Sequence, residues 1–302
     1  MKSTPMNRRT FQKIVLGTGT GFALSSCANQ PAETAVKAID CHAHIFTRDL
    51  PMPDRRRAPS GYDAPLSAYL SQLDAHGMTH GVLIQPSFLG TDNRFLLDAL
   101  AQMKTRLRGI VVVSPQISLE ELQSMKAVGA VGVRLNLVGL ATPNYASPEW
   151  RQFLSHLRAL DWQIEIHQTA IKLQETMAPL LDTGINLVVD HFGRPDPQLG
   201  IDDPGFRYLL GLGATRRVWV KISGAYRNGA NGAGEATGKK AIPLLRAAFG
   251  LDRLVWGSDW PHTLYEKSTN YDQAYALLQD YLPDEKERAK VLWDTPAGLF
   301  GF

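Results

Sequence analysis

This 302-residue sequence predicts an α/β fold of one kind, a single (β/α)8 TIM barrel preceded by a short leader. Three observations carry that reading. Eight short runs rich in Val, Ile and Leu recur along the chain, at residues 38 to 44, 80 to 86, 108 to 114, 131 to 137, 162 to 167, 185 to 191, 217 to 223 and 253 to 258. Helical stretches separate them: Leu66, Tyr69, Leu70 and Leu73, and again Trp150, Phe153, Leu154 and Leu157, fall at i, i+3, i+4 and i+7, which gives a helix one buried face. Several runs also end in His, Arg or Asp. A barrel places its active site at the C-terminal ends of its strands, so polar residues gathered there are what that architecture requires. The alternative, a doubly wound sheet, needs a glycine-rich phosphate turn after an early strand. Gly17, Gly19 and Gly21 superficially suit one, but no strand precedes them.

Taken in order, residues 1 to 27 read as an export signal. They hold Lys2, Arg8, Arg9 and Lys13 and no acid, followed by a mildly apolar stretch from Ile14 to Leu24 that is too short for a permanent membrane span. Asn7 to Lys13 resembles a twin-arginine signal, and Leu24-Ser-Ser-Cys27 resembles a lipoprotein cleavage site. The expectation is an exported bacterial protein, periplasmic or held at the cell envelope through lipid on Cys27. Residues 28 to 37 read as a linker and residues 38 to 302 as the barrel. The chain has 32 basic and 29 acidic residues; without the leader's four basic ones the net charge is −1, so nothing favours nucleic acid as a partner. Beyond Cys27 the only thiol is Cys41, which rules out an internal disulfide in the mature chain. Nothing in the pattern specifies an oligomer.

The strand ends then follow. Strand one carries Asp40, His42 and His44, which strict alternation would set on one face with about 7 Å between neighbours. Strand four carries Arg134 and Asn136, and strand five Glu165 and His167. Strand six runs into Asp190-His191-Phe-Gly-Arg194, and strand eight into Trp-Gly-Ser-Asp259-Trp-Pro-His262. Buried polar groups are expensive unless they pair or bind something, so a shared site is the economical explanation. His76, His80 and His156 lie in helices or at a strand's start and read as structural. Asn228 to Gly234 reads as a glycine-rich loop after strand seven. The run Arg55 to Arg57 reads as a solvated rim that steers anions.

The segments Asp40-Cys-His42-Ala-His44, Gln85-Pro-Ser87-Phe-Leu-Gly-Thr-Asp-Asn93, Gly132-Val-Arg134-Leu-Asn136, Val189-Asp-His191-Phe-Gly-Arg194-Pro, Val220-Lys-Ile-Ser-Gly and Val255-Trp-Gly-Ser-Asp259-Trp-Pro-His262 together resemble the amidohydrolase superfamily. Within it they are most similar to the branch of lactonases that act on pyrone-dicarboxylates, sulfomuconolactones and sugar-acid lactones. The resemblance runs in chain order from about residue 38 to the end. It implies that His42, His44, His191 and Asp259 form the reaction centre of a hydrolase.

Binuclear members of the superfamily use a carboxylated lysine on strand four; this chain has Arg134 there, so two bridged metals are not expected. His42, His44, His167 and Asp259 are the candidate ligands for one divalent ion, with zinc the best match to nitrogen and carboxylate donors. The pyrone-dicarboxylate branch works without metal, which leaves one ion or none. The implied reaction is attack of water on the carbonyl of a small anionic lactone, with Asp259 moving the proton and His191 stabilising the oxyanion. Arg134, Arg194 and Arg227 suit a substrate carboxylate, Ser87, Asn136 and His262 add polar contacts, and an arginine that the family places six residues after Arg134 is Leu140 here. A metal-dependent decarboxylase of an aromatic or muconate-type acid and a sugar-acid lactone isomerase are the alternatives.

Overall fold

The computed structural model describes residues 37 to 54, 57 to 59 and 61 to 302. The leader with Cys27, the linker up to residue 36, and Arg55 and Arg56 lie outside the described residues.

Eight strands form one parallel sheet in chain order: β1 (Ile39–Ala43), β2 (His80–Ile84), β3 (Leu107–Val111), β4 (Ala130–Asn136), β5 (Gln163–His167), β6 (Leu187–Val189), β7 (Val218–Lys221) and β8 (Leu254–Val255). The two edges meet through backbone hydrogen bonds: Cys41 N–H donates to Trp256 O (2.9 Å), Asp259 N–H to His42 O (2.8 Å) and His44 N–H to Trp260 O (2.7 Å). Between the strands run α1 (Leu66–Ala75), α2 (Arg94–Gln102), α3 (Leu119–Ala127), α4 (Pro148–Ala159), α5 (Leu173–Leu181), α6 (Pro204–Gly211) and α7 (Ala233–Phe249). After β8 come α8 (Tyr271–Tyr281), α9 (Glu285–Ala289) and α10 (Thr295–Phe300). The expected alternation is thus present, and the barrel replaces the doubly wound alternative. No helix among the described residues is long and apolar enough to cross a membrane.

Each strand alternates between two apolar layers. Val133, Ile164, Leu187, Val189, Val218, Val220 and Leu254 point out to the helices, where Phe153, Leu157, Met177, Leu209 and Leu245 cover them. Ile39, Cys41, Val82, Ile84, Ile110 and Val255 form a separate cluster that Phe300 of α10 packs against. The barrel therefore has a largely apolar floor, with Gln163 beside Ile110 as a polar member, and the charged inward residues lie beyond it. Helix starts match their sequence: Ser118 and Glu121 make a reciprocal capping box on α3, and Asp203 caps α6 through Gly205 N.

Two differences from the sequence expectation matter for the site. Strands six to eight are shorter than their apolar runs, because the chain leaves the sheet early to deliver side chains to the barrel mouth. His191, Phe192 and Arg194 after β6, and Asp259, His262 and Leu264 after β8, have φ between 51° and 72°, a left-handed backbone that non-glycine residues adopt at a cost of about 1–3 kcal/mol each. The second difference is in β1. Asp40 pairs with Gly81 but Ala43 with Leu83, so β1 carries one extra residue, a β-bulge. Asp40 is therefore not in line with the two histidines. It accepts from Ser258 N (2.8 Å), Ser258 Oγ (2.6 Å), Tyr271 Oη (3.1 Å) and His42 N (3.1 Å), and ties β1 to the segment after β8.

Candidate active site

The inward positions above the apolar floor carry charge. Lys221 of β7 is fully buried and pairs with Glu165 of β5, with Asp190 Oδ1 at 3.6 Å and His42 Nδ1 at 3.2 Å. Arg134 of β4 donates to Asp190 Oδ2 through Nε (3.0 Å) and Nη2 (2.7 Å) and lies 3.4 Å from Glu165. Two cations thus face two carboxyl groups, which is the condition for burying charge at all. Burial and Asp190 push Glu165 up to about 8, against the opposing pull of Lys221 and Arg134. Burial would raise Asp190 as well, but Arg134, His42 and Lys221 outweigh it and hold it well below the usual carboxylate range.

On this charged layer stand the two histidines of β1. His44 Nδ1 donates to the carbonyl of Ile84 (2.7 Å), which leaves the Nε2 lone pair free, and His42 Nε2 lies 3.2 Å from it. Burial first, then Lys221 for His42 and Arg134 for His44, lowers both to about 3, so both are neutral at physiological pH, the form that binds metal. Asp259 Oδ1 is 3.7 Å from His42 Nε2 and 3.8 Å from His44 Nε2. Two nitrogens at zinc-ligand distance in a tetrahedral site lie about 3.3 Å apart, so these three donors fit one divalent ion. His42, Asp190 and His191 also approach one another. There the carboxylate is already matched by Arg134.

Asp259 is held from its other side. Its Oδ2 accepts from Arg227 Nε and from Tyr226 Oη (2.6 Å), and Oδ1 is 3.2 Å from Arg227 Nη2. Burial alone would raise its pKa; Arg227, His191 and His42 pull it well below the usual range, so it is a carboxylate. His191 Nδ1 meets Ser223 Oγ at 3.0 Å, and its ring centroid is 4.8 Å from that of His42. Gly224, at φ +53°, lets the chain pass: a Cβ there would lie 2.7 Å from both Asp259 Oδ2 and His191 Nδ1.

Above these groups opens a narrow recess lined by His44, Ser87, Arg134, His167, His191 and Arg227, together with Arg57, Phe88 and Thr263. Six of the residues named from the sequence are therefore on its wall, with His42 and Asp259 buried beneath. His167 corrects the proposed ligand set. It does not join His42, His44 and Asp259, because its ring nitrogens face guanidinium groups, Arg57 Nη1 at 3.1 Å from Nδ1 and Arg194 Nη1 at 3.2 Å from Nε2. Asn136, opposite His167 in the β4–β5 register, has both side-chain polar atoms shielded and without a protein partner. His262 Nδ1 is 3.3 Å from Tyr226 Oη, and its Nε2 is unpaired.

Sequence reasoning passed over Arg57, Lys221, Asp190 and Tyr226 as site residues. For Lys221 the signal was present, a lysine at an inward position of an otherwise apolar strand; for Arg57 there was none, since a three-arginine run in a loop looks solvated.

The amidohydrolase family profile matches residues 39–302. The chain is 32% identical over 274 residues to a 4-sulfomuconolactone hydrolase of Hydrogenophaga intermedia, covering 87% of this chain and 88% of that protein. It is 30% identical over 278 residues to a 2-pyrone-4,6-dicarboxylate hydrolase of Comamonas testosteroni, covering 87% and 90%. The crystal structure of a probable 2-pyrone-4,6-dicarboxylic acid hydrolase from Acinetobacter baumannii with citric acid bound superposes with a TM-score of 0.85 at 40% identity, covering 88% of this chain and 99% of that one. The match extends from the first strand to the last residue, and the chain belongs to the amidohydrolase family.

Proposed function

We propose that this protein opens the ring of a small carboxylated lactone by adding water. The observation that carries the reading is the meeting of two neutral imidazole Nε2 atoms and the Asp259 carboxylate at the floor of an arginine-lined recess. The two hydrolases named above, whose substrates are lactones with acid groups, support it. A carboxylate substituent would sit against the guanidinium groups, which match two oxygens side by side, and this sets the ring over the histidines. Asp259 accepts the proton of the attacking water as the new C–O bond forms and returns it to the ring oxygen as the old bond breaks. Neutral His191, its Nδ1 steered by Ser223, presents its other nitrogen to the carbonyl oxygen as charge develops. His42, His44 and Asp259 would hold one divalent ion, for which zinc is our assignment from the donor set. Such an ion supplies Lewis acidity at the carbonyl and lowers the pKa of water.

A panel of carboxylated lactones and aromatic acids offered to the purified protein, with proton release and CO2 recorded together, tests the reaction. Ring opening with proton release supports it; CO2 without ring opening replaces the lactonase by a decarboxylase.

We also propose that residues 1 to 27 export the chain and that Cys27 takes lipid, a reading supported by the paired Arg8 and Arg9 and by Leu-Ser-Ser-Cys. Absence of fatty-acid label on the wild-type protein in cells would remove the lipid.

A further inference from the structure

Lys221 and His42 begin a hydrogen-bond chain whose direction is fixed at its far end. The carbonyl of Ile84 can only accept, so His44 Nδ1 carries a proton; burial and Arg134 keep that ring neutral, which leaves Nε2 as a lone pair. His42 Nε2 lies 3.2 Å from this lone pair and makes a hydrogen bond there only if it carries a proton. His42 is neutral too, from burial and Lys221, so a proton on Nε2 leaves its Nδ1 bare. The group 3.2 Å from that nitrogen is the Lys221 ammonium, which only donates. Donors therefore run in one direction, from Lys221 on β7 through both imidazoles of β1 to the backbone of β2. A competitor stands beside the chain: Asp190 Oδ1 is 3.4 Å from the same His42 Nδ1, fully buried, and makes no hydrogen bond in this arrangement. It would accept from Nδ1 if the ring took its other tautomer, and that tautomer bares Nε2.

We infer that Lys221 is a positioning residue that holds His42 in its Nε2-protonated tautomer, so that the cluster rests as a closed hydrogen-bond chain and takes an ion only when that proton passes to Nδ1 and Asp190. A ligating imidazole must offer a bare nitrogen, and the hydrogen bond at its other nitrogen decides which one is bare. The 3.2 Å between the two Nε2 atoms suits either a shared proton or a metal ion, so spacing does not choose between them. The choice falls to the groups at Nδ1. Glu165 pairs with Lys221 from the opposite side and keeps the ammonium beside the ring. The inference rests on the reading of His42, His44 and Asp259 as the place of one divalent ion for what the tautomer controls, but the tautomer itself is read on protein without metal.

Nitrogen-15 NMR of metal-stripped, histidine-labelled protein tests this directly, because protonated and bare ring nitrogens resonate far apart; His42→Gln assigns the signal. His42 should show a proton on Nε2 and none on Nδ1. In Lys221→Met the proton should move to Nδ1, and zinc, followed by calorimetry, should bind at least about tenfold more tightly. Asp190→Asn, with its oxygen toward Arg134, presents an amide N–H to His42 Nδ1; it should leave the tautomer as in the wild type and weaken zinc about ten- to a hundredfold, the usual effect of losing a ligand's hydrogen-bond partner. Lys172→Met, in an exposed pair with Glu175, should change neither reading. Removing the Lys221 charge alone would alter zinc affinity without moving the proton. An unmoved proton in folded Lys221→Met therefore overturns the inference, and so does a proton on Nδ1 in the wild type. Should Lys221→Met fail to fold, the wild-type spectrum and the zinc affinity of Asp190→Asn decide. A proton on Nε2 that moves in Lys221→Met, in a protein that binds zinc in neither form, keeps the role of Lys221 and removes the ion from the proposed site.

Discussion

The proposed reaction asks two things of Asp259, a proton transfer and a place beside the imidazoles, and its two oxygens have different neighbours. Oδ2 is engaged by Arg227 and Tyr226, while Oδ1 points to the two imidazoles. Asp259→Asn keeps an acceptor for Arg227 and nearly the same shape, yet it has no base strength. Turnover should fall by at least about 10² with little change in KM, measured beside a thermal transition that confirms folding. Gly224 offers a second test at this scale. Gly224→Ala adds an atom within 2.7 Å of Asp259 and of His191 at a left-handed φ, so it should lose both stability, by about 1–3 kcal/mol, and most activity. Gly77→Ala is the control: its φ is +67°, but nothing lies within 4 Å, so only the backbone part of the loss should appear and turnover should hold. Equal loss of turnover in both variants would mean that the contact with Asp259 and His191 is immaterial.

At the scale of elements, the bulge in β1 decides where the histidines point. Asp40 stabilises it by accepting four donors from β1, Ser258 and Tyr271 in a fully buried position. Burial raises its pKa, with Ser258 as the main opposing influence. Asp40→Ala would leave those donors unpaired, and each such loss is worth about 1–3 kcal/mol. We therefore expect a fall of at least about 3 kcal/mol in urea unfolding, with Asp40→Asn intermediate. An Asp40→Ala protein as stable as the parent would show that the bulge is held by the sheet alone. The histidine positions were legible in the sequence, since His42 and His44 are two apart at the end of an apolar run. The bulge was not, because strict alternation aligns Asp40 with them, and only the pairing with β2 shows the extra residue.

For the whole molecule, an ion held by the neutral histidines would link folding to metal. An ion that binds the native cluster and not the unfolded chain stabilises by RT ln(1 + [L]/Kd), about 2.7 kcal/mol at a hundredfold excess over Kd. Zinc added to metal-stripped protein should raise the melting temperature by several degrees, and a chelator should reverse it. His44→Ala should abolish the shift, whereas His167→Ala should retain it, since His167 faces arginines and not the cluster. Loss of the shift in His167→Ala would return that residue to the ligand set.

The sequence by itself determined the eightfold alternation of strands and helices, the face of the barrel where chemistry gathers, and the residues His42, His44, His191, Arg134, Arg227 and Asp259 that meet there. Those features are local: they follow from the period of apolar residues and from polar groups at strand ends, which any one segment displays. The tertiary structure decided the rest. It set His167 apart from the cluster of His42, His44 and Asp259, matched Lys221 and Arg134 to Glu165 and Asp190 across the barrel, and brought Arg57 from a loop to His167, 110 positions along the chain. The physical reason is that charge pairing depends on distances across the barrel. Residues on β4, β5, β6 and β7 become neighbours only when the sheet closes, and a loop arginine has no periodicity to betray which end of the barrel it will reach.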